Sequence, residues 1–98
     1  MNAMVETALK ESIDELNAQM QGETKLVYSP EERLLGRTGK LDSISFVTLV
    51  AIIEEKLLDS TGKEIYLVTD KAFSQERSPF YDIKSLSAFI EELLKEEE

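Results

Sequence analysis

Residues 43–58 read SISFVTLVAIIEEKLL, and this stretch decides the fold. Its large apolar side chains recur at spacings of three and four residues, as they do on one face of an amphipathic α-helix. They are Phe46, Val50, Ile53 and Leu57, widened by Leu49 and Ile52. β-Branched residues are frequent here and would also suit a strand. The length of the stretch and its charged end, Glu54-Glu55-Lys56, favour a helix.

Two further stretches, one on each side, have the same spacing. Residues 4–20 predict a first helix and residues 84–95 predict a last helix. The first stripe consists of Val5, Leu9, Ile13, Leu16 and Met20, and the last consists of Leu86, Phe89, Ile90, Leu93 and Leu94. Gly22 is a stop signal after the first helix, and Ser85 is a candidate N-cap of the last one.

The connections between these helices have weaker signals. Residues 21–42 form a long connection, in which SPEERLLG (29–36) predicts one short helical turn that Gly36 ends. Residues 59–64, DSTGKE, predict a turn. The apolar residues 65–68, IYLV, are β-like, and TDKAF after them is a short helix start.

Three long amphipathic helices must bury their stripes against one another, and a small helical bundle is the economical way to do so. The chain has 98 residues, which predicts a single domain spanning 1–98. We therefore predict an all-α fold, a small three- to four-helix bundle with a long loop between the first and second long helices.

The composition excludes several classes of function. The formal net charge of −9 repels phosphate backbones, so we expect no nucleic-acid partner and instead a basic patch on another protein. Cysteine and histidine are both absent from the sequence. Disulfides, a thiolate zinc site, a cysteine nucleophile and a histidine general base are therefore excluded. Acidic side chains could bind a metal ion, but a solvated surface is the simpler interpretation, and no metal site is predicted.

The N-terminal sequence MNAMVETALKES lacks the basic and apolar regions of a signal peptide. No apolar run is long enough for a membrane span. We therefore expect a cytoplasmic protein, and a monomer.

The tripeptide Leu-Asp-Ser occurs twice, at 41–43 and 58–60. Ser60 follows the central helix and precedes Thr-Gly, so it is interpreted as a turn residue with a local hydrogen bond. Ser43 lies where a loop meets the N-terminus of the most apolar helix. On physical grounds it is a simple N-cap, although the unpaired N–H groups and positive dipole end there also favour an attached anionic group.

Residues 41–57, LDSISFVTLVAIIEEKL, resemble the attachment region of acyl carrier proteins, in which Asp-Ser-Leu begins the second helix. The final stretch DIKSLSAFIEEL also resembles the last helix of that family. The resemblance implies an acyl-carrier fold and a 4′-phosphopantetheine arm, derived from coenzyme A and attached covalently to Ser43. Asp42 and Ile44 complete the motif, with isoleucine in place of the usual leucine.

The resemblance also assigns a recognition surface to the central helix. A phosphopantetheinyl transferase and acyl-transferring or acyl-modifying enzymes would bind it through basic patches. The matching positions are Ile44, Val47, Ala51, Glu54 and Glu55. An apolar cargo could retreat between the helices, and the residues expected to line that acyl pocket are Phe46, Val50, Ile65 and Phe73.

Ser45, Thr48 and the long segment 58–82 depart from the family pattern, and Lys40 lies close to the attachment serine. They predict a specialised carrier of a fatty-acid, lipid or polyketide pathway, which is itself no enzyme. The alternative is an unmodified acidic helical adaptor in which Ser43 only caps a helix. A carboxylate enzyme is a third interpretation, but the adjacent Glu54 and Glu55 do not face each other on a helix.

Overall fold

The three apolar stripes of the sequence form three long helices. A computed structural model describes residues 3–19, 26–35, 39–73 and 78–96. Its helices are α1 (Ala3–Gln19), α2 (Ser43–Thr61), the four-residue α3 (Asp70–Phe73) and α4 (Ile83–Glu96). Within the described ranges there is no strand, and one isolated bridge pairs Arg33 with Asp82. The chain is mostly helical, as the sequence predicts; Met20, Gly22 and Gly36 lie outside the described residues.

The first helix is the centre of the packing, because α1 contacts both α2 and α4. Its predicted stripe is buried from Val5 to Leu16. The α2 stripe is buried at Leu49, Val50, Ile52, Ile53 and Leu57, and the α4 stripe at Leu86, Phe89 and Ile90. Each fully buried Leu or Ile side chain stabilises the fold by roughly 1.5–3 kcal/mol.

An aromatic cluster connects α2 to α4. The rings of Phe46 and Phe80 meet edge to face with centroids 5.0 Å apart, and Phe80 meets Phe89 at 6.4 Å in the same manner. Phe80 lies in the segment before α4, so this segment bridges the two helices. Edge-to-face pairs of this kind add about 0.5–1.5 kcal/mol beyond their buried area.

The second helix is longer than the sequence predicts, and the interpretation of Ser60 as a turn residue is wrong. Ser60 lies in the last turn of α2, which ends at Thr61. Gly62 ends the helix with a positive φ of 73° and donates its N–H to the Leu58 carbonyl at 2.8 Å. The local hydrogen bond expected of Ser60 is made by Thr61, whose hydroxyl accepts from the Lys63 N–H at 3.0 Å.

The predicted short helical turn at 29–36 is also wrong. The Glu32 N–H donates to the Ser29 carbonyl at 3.0 Å, which closes a single β-turn, and extended backbone follows from residue 32. This backbone forms hydrogen bonds with residues 80–83 instead of with itself. A competing partner distant in the sequence therefore overrides the local helix signal.

The backbone of Leu34 lies between the segment that precedes α2 and the segment that precedes α4. Its N–H donates to the Tyr81 carbonyl at 2.9 Å, and its carbonyl accepts from the Leu41 N–H at 3.1 Å. The Leu35 N–H donates to Phe80, and the Ile83 N–H returns a bond to Glu32. We call residues 32–35, 40–41 and 80–83 the junction. It fixes the chain at the N-terminal ends of α2 and α4.

The last helix begins one residue earlier than predicted, and its cap is Asp82 rather than Ser85. The Asp82 carboxylate accepts a hydrogen bond from the Ser85 N–H at 2.8 Å. Asp42 makes the same contact ahead of α2, where it accepts from the Ser45 N–H at 2.7 Å. Both helices therefore start with an aspartate that caps the N–H of a serine three residues later.

We expect Gly39→Ala to destabilise the protein by roughly 1–3 kcal/mol. A Cβ atom at Gly39 would lie 2.4 Å from the Leu34 carbonyl oxygen and 2.7 Å from the Leu35 carbonyl carbon. Both atoms belong to the junction backbone and have no rotamer by which to move away. Urea unfolding followed by circular dichroism measures the change. The control Ser60→Ala, at an exposed helical site, should stay within about 0.5 kcal/mol, and an equal loss in both variants would contradict the steric argument.

We expect Asp82→Ala to lower the free energy of unfolding by about 1 kcal/mol, because the first turn of α4 loses its cap. Ser85→Ala should change it by less than about 0.5 kcal/mol, since only the Ser85 backbone takes part in the cap. Asp82→Asn, which retains an acceptor oxygen, should lie close to the parent. Paired urea titrations compare the three variants. A larger loss in Ser85→Ala than in Asp82→Ala would show that the serine hydroxyl is the true cap.

Candidate functional site

The N-terminal end of α2 follows directly from the junction. Leu41 is buried and bonded to Leu34, and the next residue, Asp42, has extended backbone with φ −85° and ψ 178°. The Asp42 carbonyl accepts the first helical hydrogen bond, from Phe46 at 2.9 Å. Asp42 is therefore the N-cap residue, and Ser43 is the first residue with helical geometry.

This assignment corrects the simple interpretation of Ser43 as an N-cap. The Asp42 side chain accepts from the backbone of Ser45, so the capping position is filled by the residue before Ser43. The Ser43 side chain is exposed at the positive end of the helix dipole. Its hydroxyl is therefore accessible, next to backbone N–H groups that suit an anion.

The Asp42 carboxylate is held in its charged form by the same contacts. The hydrogen bond from the Ser45 N–H is the largest cause that lowers the pKa of Asp42 below its ordinary value, and a hydrogen bond from the Ser45 side chain adds to it. A carboxylate at a helix N-terminus is also favoured by the dipole. The cap is thus ionised at neutral pH.

An exposed apolar stripe begins beside Ser43. Ile44 is 79% exposed and Val47 is 64% exposed, and Ala51 is exposed one turn further along. These residues share one face at helical spacing, opposite the buried core face. Large apolar side chains this exposed on a charged protein mark a surface available for interaction. The structure thus places three of the predicted recognition residues together next to Ser43.

The two predicted recognition glutamates differ in their surroundings. Glu55 is exposed, whereas Glu54 is half-buried and accepts a hydrogen bond from the Leu67 N–H at 2.9 Å. Glu54 therefore attaches the segment after α2 to the helix itself. It lies about 17 Å along the helix from Ser43, at 1.5 Å per residue.

Lys40, three residues before Ser43 in the sequence, takes part in an ion pair within the junction. Its ammonium group pairs with the Glu32 carboxylate at 2.8 Å, and that carboxylate also accepts from the Val27 N–H at 2.6 Å. The Glu32 side chain is only 12% exposed, so this pair is more enclosed than the Lys10–Glu6 pair on the surface of α1. The charge of Lys40 is therefore balanced locally within the junction.

Three of the four residues predicted to line an acyl pocket lie in the hydrophobic core or pack against it. Phe46 packs on Phe80, and Val50 is buried in the core. Ile65 is buried beside the second half of α2, where it borders a groove with Glu55 and Leu58. The side chain of Phe73 lies outside the described residues. The acyl pocket stays a prediction.

Sequence reasoning missed this groove. It is open, has a volume of about 240 Å³, and is lined by Glu54, Glu55, Leu58, Glu64, Ile65 and Tyr66. The missing information was the contact that folds residues 64–67 back onto α2, where the Leu67 N–H donates to Glu54. The alternation of residues 64–68 was a usable signal, since Ile65 and Leu67 are buried while Tyr66 and Val68 are exposed.

Metal-binding clusters and membrane-spanning helices are both absent from the residues that the structure describes. No cluster of three or more acidic side chains there could hold a metal ion. No helix in those ranges combines the length and apolar character that crossing a membrane requires.

Comparison with protein-family models, with curated proteins and with solved structures finds no match to this chain.

The Asp42 cap makes a testable contribution to pH dependence. The pKa of Asp42 is lowered in the folded state. The contribution of its carboxylate to the free energy of unfolding is therefore fully present above the ordinary aspartate pKa, and it is lost as the pH falls through the lowered pKa. We expect Asp42→Asn to lose less stability than the parent over this acidic range. Thermal unfolding of both proteins at a series of pH values measures the difference. Parallel curves for the two proteins would contradict an ionised cap.

Proposed function

We propose that the protein is an acyl carrier whose 4′-phosphopantetheine arm is attached to Ser43. The observation that supports this most is the division of roles at the start of α2. Asp42 caps the helix, so the exposed Ser43 hydroxyl is not needed for capping. An accessible serine at the first helical position suits a phosphodiester, because helix N-termini favour anions. The helix order and acidic charge are compatible with an acyl-carrier-type bundle.

The attachment step requires a separate transferase. The Ser43 oxygen forms a bond to the pantetheine phosphorus of coenzyme A, and the bond from that phosphorus to the nucleotide half breaks, which releases adenosine 3′,5′-bisphosphate. The serine proton passes to a general base of the transferase. When attached, the arm supplies the thiol on which acyl groups are held as thioesters. The chain has no cysteine of its own.

The chain's own residues present the arm to partner enzymes. Ile44 and Val47 offer apolar contact next to the attachment point, and the net charge of −9 steers basic surfaces toward the protein. The departures Ser45 and Thr48 leave the first turns of α2 without acidic side chains. We therefore propose a specialised carrier with dedicated enzymes, active in the cytoplasm as a monomer.

The second candidate is an unmodified acidic adaptor. The exposed stripe of Ile44, Val47 and Ala51 favours it independently, because a protein-binding helix face needs no attached group. In that case Ser43 is an ordinary exposed residue. The two candidates differ in one chemical property, which is whether Ser43 accepts a phosphopantetheine group.

We expect incubation with coenzyme A and a broad-specificity phosphopantetheinyl transferase to add one phosphopantetheine to the parent chain. Ser60→Ala should gain the same mass, because Ser60 lies in the last turn of α2. Ser43→Ala should gain none. Intact-mass spectrometry measures all three. If no variant gains mass while the transferase loads a control carrier, the carrier proposal fails and the adaptor becomes the better candidate.

A further inference from the structure

Glu32 is bonded to three other segments of the chain, through its backbone and through its side chain. Its N–H donates to the Ser29 carbonyl at 3.0 Å, and its carbonyl accepts from the Ile83 N–H at 3.1 Å. One carboxylate oxygen, Oε2, accepts from the Val27 N–H at 2.6 Å and from the Lys40 ammonium group at 2.8 Å. Glu32 therefore joins the turn before it, the first turn of α4 and the segment that leads into α2.

The contact between Glu32 and Lys40 is an enclosed one. The Glu32 side chain is mostly buried, and the Lys40 side chain is about one-third exposed. Solvent screens such a pair less than it screens two fully exposed charges. A carboxylate oxygen has two lone pairs, so the two donors on Oε2 also fix the direction of the carboxylate. The Glu32 side chain thus holds Lys40 in one place.

Three consecutive residues of the junction contact the segment that leads into α2. The Glu32 carboxylate pairs with the Lys40 ammonium group, and the Arg33 carbonyl accepts from the Lys40 N–H at 3.4 Å. The Leu34 carbonyl accepts from the Leu41 N–H at 3.1 Å. The backbone bond of Lys40 is long for an N–H to oxygen contact. The side-chain pair is therefore the tighter of these two contacts at Lys40.

Ser43 belongs to the first turn of α2, and the end turns of a helix fray most readily. The bond between the Asp42 carboxylate and the Ser45 N–H holds this turn together from within. Contacts of the chain just before the cap restrain the turn from outside, and Lys40 lies three residues before Ser43. The pairing of Lys40 with Glu32 therefore limits fraying of the turn that carries the Ser43 hydroxyl.

We propose that Glu32 is a positioning residue for the modification of Ser43, and that it acts through Lys40. This inference rests on the proposed attachment of phosphopantetheine to Ser43. Glu32 does not take part in the chemistry; it keeps the first turn of α2 ordered, so that the hydroxyl is presented to the transferase in one orientation. A misplacement of a reacting group by about 1 Å can lower a rate by roughly a hundredfold. The side chain at position 32 thus sets how fast the chain is loaded.

Steady-state loading kinetics test the proposal, with the full chain as the varied substrate of a broad-specificity phosphopantetheinyl transferase and coenzyme A in excess. Glu32→Ala should lower kcat roughly tenfold and leave KM within about twofold, because Ser43 loses its alignment while Val47 and Ala51, further along α2, still meet the enzyme. Glu32→Gln retains an acceptor oxygen for both donors and should restore kcat to within about threefold of the parent. Lys40→Met, which removes the ammonium group, should resemble Glu32→Ala.

Glu6→Ala is the matched control, since it breaks the ion pair with Lys10 on the surface of α1, and it should change neither constant. Circular dichroism establishes that every variant is folded at the assay temperature. A rise in KM at constant kcat in Glu32→Ala would place Glu32 in the docking contact and overturn the proposal. Equal losses in Glu32→Gln and Glu32→Ala would show an effect of charge alone, which also overturns it. Parent-like kinetics in Lys40→Met would do the same.

Amide hydrogen exchange measured by NMR gives a readout that does not depend on loading. Glu32→Ala should speed exchange of the Leu41 and Ser45 N–H groups about tenfold. The Ser85 N–H, which is capped in the same way in α4, should change by less than about twofold. Equal acceleration of Ser45 and Ser85 would indicate general destabilisation and overturn the proposal.

Failure of this proposal and failure of the carrier proposal give different results. A parent chain that gains no phosphopantetheine would refute the carrier proposal and, with it, the kinetic role of Glu32. A parent chain that is loaded, together with unchanged kinetics in Glu32→Ala, would refute the positioning role alone and leave Ser43 as the attachment site.

Discussion

The backbone of Leu34 is the constraint on which the candidate site depends. Its N–H bonds to the segment before α4 and its carbonyl bonds to Leu41, one residue before the Asp42 cap. Buried backbone groups must be paired, so these bonds fix where both segments lie. Gly39 allows its own backbone to approach the Leu34 carbonyl closely, since a Cβ at this position would overlap that carbonyl. The position of Ser43 therefore depends on a residue that lies nine positions earlier and bears no chemical function.

The two ends of α2 are fixed by different hydrogen bonds, and as a result its exposed face differs in character from one end to the other. Asp42 holds the N-terminal end and leaves Ser43 and Ile44 in solvent. At the other end the Glu54 carboxylate accepts the Leu67 N–H, which fixes residues 64–67 beside the helix. The exposed face is therefore apolar and short of charge near Ser43, and acidic near Leu58. One helix thus presents two chemically distinct surfaces.

The helices were predictable from the sequence because their signal is local. Apolar spacing located α1, α2 and α4 to within a few residues, and the burial of Leu9, Ile53 and Ile90 confirms their core faces. The junction was not predictable, because residues 32–35 bond with residues 80–83, far along the chain. The N-cap residue of α4 was predicted wrongly for a different reason. Aspartate and serine are equally good N-caps, so the order Asp-x-x-Ser at 82–85 did not decide between them.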